Sequence, residues 1–476
     1  MHESGRRPAR NSLWLWIIVG LGAVLRLIAL GYKSFWIDEI ASVAIARRAT
    51  PVFWHFLWHD EGNMAAYYVL LRPWLHLGYG EGTVRLLSVI PGILSIPLMY
   101  VVGRRLFDRQ VGIVAALFLA LNACAVGVSQ EARAYSFVVL AVLLSTYLFV
   151  RFIELPTQAT AVAYALVAGM TCYFHYFGVL VPAAHFAALA ALPANRRPWK
   201  PLLLAAAIIL AEATPILWLI HAQDTGHISW VQRPSFLELY HLGAYLAADS
   251  GKAIGAVLLV VDLALLGIFL KCLMSAWKTD LECRWGYSLI ASLVATPILL
   301  ALLVSFVRPA FYHRFLVICL PGWLLMTAVG VTQLRGRAWR MSAIAIVCAL
   351  SLVSVVILQR RVTEDWRGVV NYLIANGTSD DRVVYYQSIG EFAGESYRDW
   401  LPGGDTSRPL AIGVNSGGTE WSSKVDLAPR VWVVLYRAKP GDAEAEQIQR
   451  KLGRKNFSLK FVGQYNGVTI MEFAAQ

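Results

Sequence analysis

Residues 13–39 read LWLWIIVGLGAVLRLIAL-GYKSFW-IDE: an apolar run over 13–30 with one charge, Arg26, inside it, then two adjacent carboxylates, Asp38 and Glu39. A helix rises about 1.5 Å per residue, and a bilayer core is about 30 Å thick, so such a run is long enough to cross. Arg6, Arg7 and Arg10 precede it, as in a secretory leader, but Gly31-Tyr32-Lys33 follows with no small-residue cleavage site. The expectation is an uncleaved first span that delivers Asp38 and Glu39 to the membrane surface.

The rest of the chain repeats this pattern. Of its 476 residues, 58% are hydrophobic and only 15% charged, outside the range of ordinary soluble domains. Apolar runs recur at 84–102, 111–128, 134–150, 158–174, 176–192, 201–220, 253–270, 286–307, 312–334 and 341–358, which with 13–30 makes eleven. The net charge of +12 does not point to nucleic acid, because the cations sit in short clusters between these runs. With the N-terminus inside, sixteen Lys and Arg fall in cytoplasmic segments and ten in the opposite loops before residue 363, as the positive-inside rule requires. The stretch 65–78 is too short to span and contains Arg72-Pro73, and counting it would invert every later loop. It reads as an interfacial helix. The six cysteines form no CxxC pair and lie in or beside apolar runs, so neither a disulfide nor a cysteine metal site is expected.

Two polar regions then fall outside. The first loop, 31–83, is rich in Trp and Tyr. The tail from 363 turns polar and reads as a small α/β domain, with helices near 365–375 and 443–452, strands at 382–386 and 431–436, and a hairpin around Gly467. The expected organisation is a cytoplasmic N-terminus (1–12), a transmembrane domain (13–362) that includes the loop 31–83, and an extracytoplasmic domain (363–476). The fold class is an all-α multi-pass protein of the cell membrane. It has about eleven transmembrane helices, twelve or thirteen if short stretches such as 65–78 also cross.

Several clusters of chemistry-bearing residues share the external side. Asp38 and Glu39 stand beside Trp36 and Phe35, where a carboxylate suits a general base; the alternative is an acidic helix start. Ser129-Gln130-Glu131-Ala132-Arg133 offers an arginine for a phosphate and an acid for hydroxyls or a metal, or simply an interfacial ion pair. Arg308 and Arg314, with Tyr312 and His313, are cations where external cations are disfavoured; an anionic lipid phosphate explains them, and so does snorkelling to the headgroups. His175-Tyr176 occupies a tight external turn. His55 and His59, spaced i, i+4 and followed by Asp60 and Glu61, sketch a weak metal-ligand pattern. Within the spans, Arg26, Glu212 and Asp262 are the residues a transporter or flippase of an anionic or lipid-linked substrate would use. No inverted repeat accompanies them.

In this order, the clusters resemble the GT-C superfamily, and specifically glycosyltransferase family 39, which includes protein O-mannosyltransferases and the lipid A aminoarabinose transferases. The resemblance runs over roughly 13–400. It rests on Trp36-Ile37-Asp38-Glu39, Asn63-Met64-Ala65-Ala66-Tyr67-Tyr68-Val69-Leu70-Leu71, Val84-Arg85-Leu86-Leu87-Ser88, and Gly103-Arg104-Arg105-Leu106-Phe107. It continues in Ser129 to Tyr135, His175-Tyr176, Tyr312-His313-Arg314-Phe315 with Pro321, and Glu364-Asp365-Trp366-Arg367. The resemblance implies a GT-C fold and an inverting transferase that moves a sugar from a polyprenyl-phosphate donor to a lipid, glycan or protein acceptor outside the cytoplasm.

Carried over residue by residue, Asp38 would be the base and Glu39 its partner. Arg133, Arg314, Tyr312, His313 and Arg308 would hold the donor phosphate. Glu131, His175, Tyr176, His59, Glu61, Asn63 and Tyr67 would contact substrate. Many relatives carry a Pro-Pro pair where this chain has Ala65-Ala66. Neither external motif contains DxD, so a divalent metal is left open, with Asp38 and Glu131 as its candidate ligands. No other cofactor is implied.

Overall fold

The computed structural model describes residues 9–222, 231, 233–249, 253–279, 281–404, 408–414, 420–438 and 441–476. Arg6 and Arg7, counted above with the cytoplasmic cations, lie outside the described residues. The chain forms two compact units: Met1–Leu30, Ala49–His76 and Val84–Arg360 in one, and Gly31–Arg48, Leu77–Thr83 and Arg361–Gln476 in the other. The two ends of the first loop therefore group with the C-terminal segment, whereas its middle groups with the membrane helices.

The first unit is helical. Among the described residues, seven helices are long and apolar enough to cross a membrane: Glu81–Leu106, Tyr135–Glu154, Trp199–Ala222, Ala253–Lys278, Arg284–Val307, His313–Thr332 and Arg337–Arg360. A bent pair, Arg109–Leu121 and Ala123–Ser129, is an eighth where the two halves are taken as one span, and the shorter apolar helices Leu13–Leu27, Gln158–Phe174 and Tyr176–Ala191 bring the apolar segments to eleven. They match the eleven runs in the sequence one for one. The protein is a multi-pass membrane protein. The stretch 65–78 folds as the helix Ala65–Trp74, a 3-10 turn over Leu75–Leu77 and Gly78 at φ +130°. Ten residues rise only about 15 Å, so it adds no span. One further helix, Phe236–Ala248, was not legible as an apolar run.

The bent span is held open by side chains. A break inside a membrane strands backbone groups that must find partners. Asn122, at the 58° bend, accepts from Ala125 N (2.9 Å), and its amide donates to the Leu246 and Ala247 carbonyls (2.9 and 3.0 Å). It thus closes the start of one helix and the end of another. Arg26 closes the upstream half. Its guanidinium donates to Leu119 O (3.1 Å), Ala120 O (3.1 Å), Gly22 O (3.0 Å) and Ser129 Oγ (3.2 Å).

The second unit carries a five-stranded sheet: β1 (Arg382–Tyr386), β2 (Leu410–Val414), β3 (Arg430–Tyr436), β4 (Phe457–Tyr465) and β5 (Val468–Ala475), in the order β2-β1-β3-β5-β4. β2, β1 and β3 run parallel, and β5 lies antiparallel between β3 and β4. Alternation sorts the side chains: Val384, Tyr386, Val431, Val433 and Leu435 face one core with Ile448 and Leu452. Val383, Trp432 and Val434 are fully buried on the opposite face. Gly467 turns the β4-β5 hairpin at φ +69°, where a Cβ would lie 2.3 Å from the Thr363 carbonyl. The expected helices and strands of the tail are present; helix Ser388–Arg398 and β2 were not foreseen.

Candidate functional site

In the second unit, Trp36 is the N-cap of helix Ile37–Arg47, which makes Asp38 the second helical residue and Glu39 the third. The two carboxylates differ in setting. Glu39 is fully buried, and its Oε2 accepts the Trp36 N–H (3.3 Å), so it caps the helix that it begins. Asp38 is half-buried, and its carbonyl takes the Ser42 hydroxyl (2.9 Å). The capping explanation thus applies to Glu39.

The segment that carries Asp38 is fixed by residues from the far end of the chain. Arg367 donates to the Tyr32 carbonyl (2.6 Å) through its side chain and to Ser34 Oγ (3.1 Å) through its backbone, and it pairs with Glu81 (3.1 Å). Tyr397 donates to Glu81 (2.6 Å) and accepts the Phe35 N–H (2.9 Å). Glu364, 2% exposed, accepts the Ile37 N–H (2.9 Å). The Glu364 to Arg367 motif therefore holds both ends of the first loop. Its spacing in the sequence gave no sign of this.

In the membrane unit, Glu131 follows the short helix Ala123–Ser129, so the break at Asn122 sets its place. Its carboxylate forms an ion pair with Arg314, whose guanidinium also lies 5.1 Å from the centre of the Tyr135 ring. The Tyr135 ring is 5.8 Å from His175, which also packs on Phe315 at 5.2 Å and Phe177 at 5.7 Å. His175 Nδ1 accepts the Phe177 N–H (3.2 Å), and Nε2 has no partner among the described residues. Burial, and then the charge of Arg133, pushes its pKa down to about 3, so the imidazole is neutral. Arg314 thus lies over Tyr135, and Arg133 acts electrostatically on the His175 ring packed against it. Ser88 Oγ anchors the Arg133 carbonyl at 3.0 Å.

The neighbouring residues extend this cluster. Tyr312 stacks 4.4 Å from His313 and 5.2 Å from Phe315; His313 lies 5.2 Å from Tyr245. Asp249, Glu131 and Arg314 all act electrostatically on Tyr245. Tyr245 and Asp249 did not stand out in the sequence, because only the fold brings them to Tyr135 and Arg314.

A second group sits around Tyr176. The Asn63 side chain accepts the Tyr176 N–H (3.1 Å), and Glu61 acts on the phenol. Gly62 packs closely there: a Cβ would come within 2.7 Å of the Tyr176 hydroxyl, which would have to shift. Tyr67 is fully buried against Phe137 (5.9 Å), with Ser88 Oγ 3.4 Å from its hydroxyl. His59 is exposed and stacks on His55 at 4.3 Å. Arg308, one residue beyond helix Leu281–Val307, pairs with no carboxylate among the described residues. No group of three His, Cys, Asp or Glu side chains with metal-ligating geometry occurs among the described residues.

Of the three residues assigned to a transporter, Arg26 is spent on backbone carbonyls, and Asp262 accepts the Trp323 indole N–H (2.8 Å). Glu212 lies beside Gly169. Arg26 and Asp262 thus serve packing, whereas Glu212 Oε2 is buried with no partner among the described residues, and the transporter reading is not favoured.

Residues 64–218 match the family described as dolichyl-phosphate-mannose-protein mannosyltransferase. No curated protein matches the chain in sequence. In structure the chain is similar to ArnT from Cupriavidus metallidurans in the apo state, with TM-score 0.64, 11% identity, and 98% of each chain covered. The same protein bound to undecaprenyl phosphate gives TM-score 0.61 and 13% identity, covering 97% of this chain and 98% of that one. The archaeal oligosaccharyltransferase AglB from Archaeoglobus fulgidus, in complex with an inhibitory peptide and a dolichol-phosphate, gives TM-score 0.53 and 11% identity over 97% of this chain and 74% of that one. The expected fold is present: this is a GT-C fold with a small C-terminal sheet domain.

Proposed function

We propose that this chain, a GT-C protein similar to glycosyltransferase family 39, is a membrane glycosyltransferase that draws its sugar from a polyprenyl-phosphate donor. Transfer goes with inversion to a hydroxyl of a lipid, glycan or protein on the non-cytoplasmic side, the N-terminus being cytoplasmic. Asp38 takes the proton of the acceptor hydroxyl. The freed oxygen attacks the anomeric carbon, and the bond from that carbon to the phosphate oxygen breaks, releasing the polyprenyl phosphate. Arg133 and Arg314 hold the phosphate and stabilise the charge that builds on it.

The observation that carries the donor assignment is the pair of arginines at Tyr135 and His175: Arg314 lies over the Tyr135 ring, and Arg133 acts electrostatically on His175. With His175 neutral, the positive charge at this ring pair comes from the arginines. The solved relatives support the donor class, since one binds undecaprenyl phosphate and another dolichol-phosphate. Mannose, glucose, galactose, aminoarabinose and arabinofuranose all fit this reading. A divalent ion, if one is used, would draw on Asp38 or Glu131.

The test is turnover by the purified protein of a panel of undecaprenyl-phosphate sugars, alongside mass spectrometry of envelope glycans and lipid-linked sugars with and without the gene. Asp38→Asn is expected to lower transfer by about a hundredfold or more, as loss of a general base does, with the fold intact. Full activity in that variant removes Asp38 as base. A donor other than a polyprenyl-phosphate sugar removes the reading as a whole.

A further inference from the structure

Glu364 stands 327 residues from Ile37 in sequence, yet its carboxylate accepts the Ile37 N–H at the start of the helix that carries Asp38. An isolated buried carboxylate is costly, and this one is fully partnered. Oε2 takes Ile37 N (2.9 Å) and Trp366 Nε1 (3.0 Å), while Oε1 takes the Tyr436 hydroxyl (2.8 Å) and Arg437 Nη2 (3.0 Å). Tyr436 is the last residue of β3, and the Arg437 N–H is held by the Gly467 carbonyl (2.9 Å). Glu364 thus ties the first turn of a helix to the end of a central strand.

The first amides of a helix have no partner within it. Here the two that precede Asp38 are each taken by a carboxylate: Trp36 N by Glu39, and Ile37 N by Glu364. A helix start bonded in this way fixes the backbone on which Asp38 sits relative to β3. Arg437 supplies the counter-charge. It contacts Glu364 directly and interacts electrostatically with Asp38 as well.

We infer that Glu364, clamped by Tyr436 and Arg437, is the positioning residue for Asp38: it holds the helix start in the one orientation from which Asp38 works as a base. The inference rests on the reading of Asp38 given above. Geometry of this kind matters to rate, since a misplacement of about 1 Å costs on the order of a hundredfold. Glu364 touches no reacting group itself, so its loss affects turnover and leaves donor binding alone.

The experiment compares Glu364→Gln, Tyr436→Phe, Asp38→Asn and the double variant Glu364→Gln/Asp38→Asn in the purified full-length protein. Three quantities are read: turnover of the undecaprenyl-phosphate sugar that supports activity, binding of undecaprenyl phosphate, and amide hydrogen exchange over residues 36–40. Glu364→Gln keeps the size of the side chain while losing its charge and one acceptor. It is expected to lower kcat by about 10- to 100-fold, leave KM and undecaprenyl phosphate binding unchanged, and speed exchange at 36–40. Tyr436→Phe moves the same readings less far. The double variant is expected to be no slower than Asp38→Asn, because Glu364 acts only through Asp38. A further multiplicative loss in the double variant, or wild-type kcat and exchange in Glu364→Gln, overturns the inference. If Asp38→Asn keeps full turnover, the base assignment fails instead, and the exchange measurement alone still decides whether Glu364 fixes the helix start.

Discussion

Arg314 and Glu131, 183 residues apart in the chain, form a partly buried ion pair. The arginine proposed to grip a phosphate is therefore already held by a carboxylate, and a donor phosphate has to share or displace it. Neither residue is more than a quarter exposed, so the pair is shielded from much of the screening that weakens surface pairs.

One prediction concerns that competition. Glu131→Gln frees Arg314 and is expected to tighten binding of undecaprenyl phosphate severalfold. Arg314→Ala is expected to weaken it by about 10- to 100-fold, the worth of a charge-assisted hydrogen bond. Titration of the purified protein with undecaprenyl phosphate measures both. Unchanged affinity in both variants would take Arg314 out of the donor site.

Arg26 gives a second. Replacing it with Leu strands the Leu119 and Ala120 carbonyls at the broken span. The expected cost is about 3 kcal/mol, read as a fall in the melting temperature in detergent. Undiminished stability together with lost activity would return Arg26 to a functional role.

His175 yields a pH dependence. Its folded-state pKa of about 3 lies below the ordinary value for histidine of about 6.5, so between those values the unfolded chain takes up the proton and the folded chain does not. Its burial as a neutral ring therefore costs no stability above about pH 6.5, and stability is lost as the pH falls toward 3. His175→Gln is expected to flatten the fall in melting temperature between about pH 6.5 and 4 relative to the wild type. Parallel curves for the two proteins would show that His175 does not titrate in this way.

Gly467 tests the clamp from the other side. Gly467→Ala forces a Cβ into a left-handed turn at φ +69° and into the Thr363 carbonyl, 2.3 Å away, one residue from Glu364. The left-handed conformation alone costs about 1–2 kcal/mol, and the overlap adds to it. Faster amide exchange over residues 363–367 and 437 is expected. Wild-type exchange there would mean that the hairpin does not support Glu364.

The membrane architecture was written in the sequence because the bilayer makes length and apolarity decisive: eleven runs became eleven apolar helical segments, and Arg72-Pro73 in a short stretch excluded a twelfth. The tail was partly legible, since alternation in 382–386 and 431–436 marks strands whoever their neighbours are. Helix Ser388–Arg398 escaped because its apolar residues are sparse, and β2 because five residues without a polar alternation become a strand only by pairing with β1. The candidate site divides in the same way. Asp38, Glu131, Arg133 and Arg314 could be named because a charge at the end of an apolar run is conspicuous. Which charge meets which could not, since Arg314 finds Glu131, and Glu364 finds the Ile37 amide, through contacts between residues far apart in sequence. Asp38 and Glu39 mark the difference most clearly: the sequence presents them as an equivalent pair, and only the turn of the helix, which carries Glu39 back onto the Trp36 amide, makes Glu39 the cap and sets the two carboxylates in different surroundings.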